Sequence, residues 1–476
     1  MNTNRPFDCR QVQPLALTRR DMLKSVSAGF GYLAFAGLSA QAAAGYQSPT
    51  LPKAPHFTPR AKRVIFLAMQ GGPSHLDTFD YKPKLIADAG KAGERGKLIA
   101  PVAEFKQRGQ SGLWISEAFP QVAQHADELC LLRGMHTDIP NHPQAFVQLH
   151  TGSARFVRPS LGAWTLYGLG TENQNLPGYL TIAAPIALGG AQNYGSAFLP
   201  ASFQGTRMDA PPSTGPVVRK ASRNDTGANQ GIGNIKNTSL SADAQRAQLD
   251  LVQSMNRDLL ATTGANPEVE GIIESYELAF RMQSEVPKVM DMSKESAATL
   301  KAYGIGSGAT DNFGKQCLMA RRLAEAGVRF IEVCHQGWDH HGGLKSRIAG
   351  SCSAVDQPIA ALLADLKQRD MLKDTLVIWG GEFGRTPTNG AADGRGHNAK
   401  GYSMWLAGGG VKPGISYGST DDYGAKAVED KLHVHDLHAT ILHLLGLNHE
   451  KLTYRYAGRD FRLTDVHGQV PKAILA

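Results

Sequence analysis

Cysteine is scarce in this 476-residue chain: there are five, and no two stand in a CxxC spacing. That excludes a disulfide-dense framework and argues against a redox protein built on haem or iron–sulfur ligation. Blocks of one charge sign are also missing. The net charge is +8, but the excess is spread thinly, with no basic stripe carrying interleaved aromatics. Nucleic acid is therefore not an expected partner. Apolar runs long enough to span a bilayer are absent as well, so the mature chain is expected to have no stable membrane span. What is present is ordinary for a globular protein: 42% hydrophobic and 19% charged residues, in a chain long enough for one large core or two smaller ones.

The N-terminus carries the strongest local pattern. Thr18-Arg19-Arg20-Asp21-Met22-Leu23-Lys24 precedes a run from Ser25 to Ala40 rich in Gly and Ala, followed by Ala42-Ala43-Ala44. A basic region, a short apolar region and small residues form the layout of an export signal. The paired arginines resemble the twin-arginine signal, whose machinery is then an expected partner. Residues 1–44 are read as this signal, cleaved after Ala44 or Ala42, with a retained N-terminal anchor as the alternative, and the mature protein is expected in the periplasm or outside the cell. Removing the signal removes Cys9 and leaves Cys130, Cys317, Cys334 and Cys352, either buried and unpaired or including one disulfide.

Beyond residue 44 the pattern is that of one α/β domain, 45–476. Arg63 to Met69 is a continuous apolar run, as expected of a strand covered on both faces. Further strands are predicted at Glu128–Leu132, Val328–Val333, Asp374–Trp379 and Met404–Ala407. Helices are predicted from His142 or Pro143 to His150 with Asn141 as cap, and over Asn312–Ala326, Ala354–Arg369 and Asp436–Leu445. From Gly189 to Thr238 the composition becomes that of a surface loop, and 242–303 is helical, so about 189–303 is read as an insertion. Strands alternating with helices predict a doubly wound, mostly parallel sheet with helices on both faces, and sites at the carboxyl ends of its strands.

Polar clusters follow those strands: Gly71 to Asp80, Gly337-Trp338-Asp339-His340-His341, Gly381-Glu382-Phe383-Gly384-Arg385 and Gly394-Arg395-Gly396-His397-Asn398. A fifth, with His433, His435 and His438, opens the last helix. Imidazoles with one carboxylate suit zinc or manganese better than calcium or magnesium, which favour all-oxygen sites. Asp339, His341 and His397 are therefore the expected ligands of a divalent metal with positions left open for water or substrate. Arg385 either clamps an anionic substrate or pairs with Glu382. His340 is expected beside the site, and His443 in the core.

These segments resemble known families. AVDQPIAALLADLKQRDMLKDTLVIWGGEFGR from Ala354, GHNAKGYSMWLAGGGVKPG from Gly396 and HDLHATILHLLGL from His435 resemble stretches of the alkaline-phosphatase/sulfatase superfamily. The GGPSHLDTFDYKP, GWDHH and GEFGRTP motifs at Gly71, Gly337 and Gly381 are similar to those of the family called domain of unknown function 1501. The resemblance implies an alkaline-phosphatase/sulfatase-like fold and a metal-dependent hydrolase of sulfate or phosphate esters, acting on anionic small molecules or polysaccharides. It holds for the site of Asp339, His341 and His397 and departs at its partner site. Gln70 stands where the first strand normally delivers an aspartate, Glu382-Phe383 where Asp-His is expected, and His142 where the nucleophile would be. One metal is therefore expected, or a second rebuilt from Asp77 or Asp80 with Glu382. His142 then serves as ligand, as acid/base or as nucleophile, or a metal-activated water attacks. The alternative is a non-catalytic metal- or polysaccharide-binding protein on a degraded scaffold.

Overall fold

The computed structural model describes residues 48–94, 96–210, 235, 239–264, 266–390 and 393–476. The chain divides into Met1–Ser48 and Pro49–Ala476, and every element below belongs to the second part. The predicted export signal, 1–44, lies outside the described residues, as do 211–234 and 236–238 of the predicted loop. Among the described residues no helix is long and apolar enough to cross a membrane.

The centre is a nine-stranded sheet. Its strands are β1 (Arg63–Met69), β2 (Leu129–His136), β3 (Tyr179–Ile182), β4 (Thr206–Met208), β5 (Phe330–His335), β6 (Thr375–Gly380), β9 (Tyr402–Ala407), β10 (Ile415–Tyr417) and β11 (Leu432–His433). A hairpin of β7 (Gly384–Asn389) and β8 (Arg395–Asn398) projects between β6 and β9. The order across the sheet is β10-β2-β9-β6-β1-β5-β3-β4, with β11 also pairing with β2. Only β9 runs against its neighbours β6 and β2; the remaining pairings are parallel. The expectation of a mostly parallel sheet is met.

Both faces of β1 are buried, as its unbroken apolar run requires. Ile65, Leu67 and Met69 enter one core, with helices α5 (Asp311–Glu325) and α6 (Leu344–Gln368). Val64, Phe66 and Ala68 enter the other, with α1 (His142–Thr151), α2 (Leu161–Leu169) and α7 (Val434–Leu444). Alternating side chains feed two layers, so helices must cover both sides. The remaining long helices are α3 (Ala242–Thr263) and α4 (Pro267–Met290).

Three details differ from the sequence reading. The predicted loop from Gly189 contains Thr206–Met208, which extends the sheet beside β3; three residues are too few for a periodic signal. The α6 helix begins ten residues earlier than Ala354, because Leu344, Ile348, Cys352 and Val355 are buried along one face despite the poor helix propensity of the Gly- and Ser-rich stretch. His443 is half-buried against Phe57 and does not sit in the core. Among the described residues Cys130, Cys317, Cys334 and Cys352 are buried and free.

Candidate metal centre

Parallel strands put their carboxyl ends on one edge, and five segments leave that edge into a common site. The loop after β5 carries Asp339 and His341, the β7–β8 hairpin carries His397, and β2 leads through Pro140 to His142 at the start of α1. The turn after β6 carries Glu382 and Phe383, and the turn after β1 carries Gly71. Gly71 has φ +113°, and a Cβ there would meet the Asp339 amide nitrogen at 2.6 Å, so the two turns pack with no room for a side chain.

Among the described residues, His142, Asp339, His341 and His397 form a group able to hold one metal ion, with ligand atoms within 4.8 Å of one another. All three imidazoles present Nε2. The Asp339 Oδ1 atom lies 3.2 Å from His142 Nε2, 3.0 Å from His341 Nε2 and 3.5 Å from His397 Nε2, and the last two nitrogens are 2.9 Å apart. Two ligands of a tetrahedral zinc ion lie roughly 3.3 Å apart, so these separations are of coordinating size.

The far ring nitrogens explain why Nε2 faces inward. His397 Nδ1 donates to the Pro140 carbonyl at 2.8 Å, and His142 Nδ1 donates to Glu382 Oε1 at 2.5 Å. Each bond fixes a proton on Nδ1, so that in the neutral ring the lone pair is the one on Nε2. The His142 Nε2 atom is buried without a hydrogen-bond partner. An orphaned lone pair of this kind facing a carboxylate fits a cation between them. Burial lowers the pKa of His397, keeping the ring in the neutral form that binds metal.

Arg385 is where the sequence reading needs correction. It neither faces solvent nor pairs with Glu382: its side chain is 1% exposed and bonds to Asp339 Oδ1 at 2.6 Å. It also donates to the carbonyls of Gly72 at 2.9 Å, Gly71 at 2.5 Å and Arg395 at 3.2 Å. Partial burial works against ionisation of Asp339, but the Arg385 hydrogen bond and charge outweigh it and hold the carboxyl well below its ordinary range. Arg385 thus braces the turns and a ligand carboxylate, and its burial leaves no fork facing solvent to clamp a substrate.

Asp77 is placed elsewhere too. It is fully buried, accepts from Arg395 Nε at 2.7 Å and from the Val102 amide at 2.9 Å, and bonds to Ser74. Asp80 is taken by Lys82 and Thr420. Neither rebuilds a second metal position. Glu382 is fully buried behind His142 and also accepts from the Gly71 amide at 3.1 Å, so it reaches the group only through the imidazole. Phe383 packs on His142 and His397 with ring centroids 4.6 and 4.8 Å away, an apolar wall on one side. On the other side Asp339 and His341 are about half exposed and open the site to solvent.

Of the remaining histidines, His340 is buried beside the cluster next to Ser351, and His435 and His438 bond to the carbonyls of Gly152 and Leu149. The sequence reading missed Arg395 as the partner of Asp77, although its position between two glycines in a strand-following cluster marked it. It also missed the Pro140 carbonyl, which no side-chain pattern reveals.

A family profile described as "Protein of unknown function (DUF1501)" matches residues 61–475. No curated relative matches the chain. Among solved structures, the PsFucS1 sulfatase from Pseudoalteromonas sp. is similar at 13% identity and a TM-score of 0.36, over 82% of this chain and 68% of that one. The lipoteichoic acid synthase LtaP from Listeria monocytogenes is similar at 8% identity and a TM-score of 0.38, over 87% and 78%. The alkaline phosphatase from the Antarctic bacterium TAB5 is similar at 10% identity and a TM-score of 0.34, over 82% and 99%. Likeness at this level is distant.

Proposed function

The chain belongs to the DUF1501 family of proteins of unknown function, and from that premise we propose that it is an exported, metal-dependent hydrolase of sulfate or phosphate esters. The observation that carries this reading is the convergence of three imidazole Nε2 atoms on the Asp339 carboxylate at a sheet edge. A set of three imidazoles and one carboxylate suits zinc or manganese and leaves calcium and magnesium less favoured. A cation held by His142, Asp339, His341 and His397 would supply Lewis acidity to an ester oxygen and lower the pKa of a water molecule.

The chain's own groups prepare that site. Glu382 and the Pro140 carbonyl hold two imidazoles in the ligand tautomer. Arg385 keeps Asp339 ionised, and Phe383 keeps water from one flank. His142 serves as ligand or acid/base in preference to nucleophile, because Nδ1 is tied to Glu382 while Nε2 faces the shared carboxylate. The exposed side, at Asp339 and His341, leaves room for a bulky anionic ester.

A panel of aryl sulfate and phosphate esters, assayed on zinc- or manganese-loaded protein, tests the reading. Turnover is expected in the wild type and a loss of about a hundredfold or more in Asp339→Ala and His397→Ala. Equal turnover in both variants defeats the site. Full metallation without turnover leaves a non-catalytic metal- or polysaccharide-binding protein. Export to the periplasm or beyond rests on Arg19 and Arg20: replacing both with Lys is expected to hold the chain in the cytoplasm, and unchanged export in cell fractions rejects the twin-arginine route.

A further inference from the structure

The α1 helix starts at the candidate metal centre and ends, about 15 Å away by its rise per residue, at a second charged feature. There a cavity of about 430 Å³ is lined by Arg155, Arg158, Arg459 and Arg462 together with the rings of Phe198 and Phe461. The opposing carboxylates in its wall are Asp138 and Asp465. Arg459 pairs with Asp465, and Arg462 has Glu450 at 3.7 Å. Arg155 and Arg158 have no ion pair among the described residues.

Arg158 is held by rings instead. Its guanidinium lies 4.4 Å from the centroid of Phe461, 5.2 Å from Phe156 and 5.9 Å from Phe198. Ring faces fix the planar group without neutralising it, so its N–H donors stay uncommitted. The rings form a stack: Phe198 lies 5.1 Å from Tyr456 at 16° and 5.0 Å from Phe461. Tyr456 is 50% and Phe156 63% exposed. His435, only 6% exposed, also lines the cavity, and its Nδ1 has no hydrogen-bond partner.

Free guanidinium forks recognise sulfate or carboxylate groups, and exposed ring faces take the C–H faces of sugars. The two wall carboxylates discriminate further. They accept hydrogen bonds from sugar hydroxyls, whereas a polyphosphate chain offers them no donor. We propose that this cavity binds an anionic oligosaccharide through Arg155 and Arg158. The Asp138-Ile139 stretch lines the cavity, and the next residue, Pro140, accepts from His397. One short segment therefore borders both sites, and a bound chain running along it reaches the metal centre. Binding stands apart from catalysis; only the role of this glycan as carrier of the ester rests on the hydrolase reading.

Calorimetric titration of the full mature chain with a heparin-derived sulfated hexasaccharide, its desulfated counterpart and polyphosphate of equal charge tests the proposal. The sulfated hexasaccharide is expected to bind best. Arg155→Ala/Arg158→Ala should weaken it about tenfold or more, and Arg158→Lys and the surface variant Arg155→Ala should each weaken it less. Those two single variants decide the matter should the double variant misfold. Undiminished binding in the arginine variants overturns the proposal, as does polyphosphate binding equally tightly. The expected pattern in a protein that turns over no ester sinks the hydrolase reading and supports the cavity.

Discussion

Glu382 never meets solvent, yet it orients the ring of His142 and accepts the Gly71 amide in the adjoining turn. Glu382→Gln keeps the shape but puts an NH2 group against one of those donors. The expected outcome is a loss of about 10- to 100-fold in metal affinity with the fold intact, read by titration against a competing chelator. Equal affinity would show that His142 needs no such support. Arg385 behaves differently, because Lys cannot reproduce its fork and leaves several buried carbonyls unpaired. Arg385→Lys is expected to lower stability by roughly 2–4 kcal/mol in urea unfolding, and an unchanged midpoint would refute the bracing role. At this scale the sequence was legible in kind but not in role. Asp339, His341 and His397 stand out by type and by their place after strands, whereas burial turns Arg385 from a substrate clamp into a brace, and no residue pattern encodes burial of a polar side chain. Asp77 misled for the same reason: a strand-end carboxylate looks like a ligand until its guanidinium partner is known.

Among the elements, the β7–β8 hairpin carries the largest local risk. It delivers His397 and also Arg395, whose guanidinium and the Asp77 carboxylate are both fully buried. Arg395→Ala leaves that carboxylate without its countercharge in the interior, so a loss of about 3–5 kcal/mol is expected in chemical unfolding. A loss below about 1 kcal/mol would mean that water reaches Asp77. Gly394, just before β8, packs so close that a Cβ would meet the His341 carbonyl carbon at 2.1 Å. The hairpin and the metal-site loop are therefore built against each other. The long apolar strands were legible because two-sided burial demands unbroken hydrophobicity, as in β1. The short edge strand β4 and the early turns of α6 were not, since sheet pairing and packing there override weak local preference.

For the whole molecule, a sheet buried on both faces encloses neutral histidines. Burial pushes His438 down to about 3 and His335 down to about 4. Both bind a proton more weakly when folded than when unfolded, where the value is about 6.5. Their contribution is therefore complete above about pH 6.5 and is lost as pH falls through that value toward their folded pKa values. Melting temperature, measured in chelator so that the candidate metal ligands do not contribute, is expected to drop between pH 7 and about pH 4.5. His438→Gln should flatten that dependence, and a level profile in the wild type would contradict the account. The alternation of strands and helices made this architecture legible early. Which strand tips meet followed only from the order of the sheet.

Everything proposed about chemistry depends on one ion sitting between strand ends, so metal content of the purified native chain is the most direct measurement. The account predicts about one zinc or manganese ion per chain, falling to a small fraction in Asp339→Ala and His397→Ala while both variants remain folded. A metal-free native protein, or a content unchanged in the two variants, would contradict it.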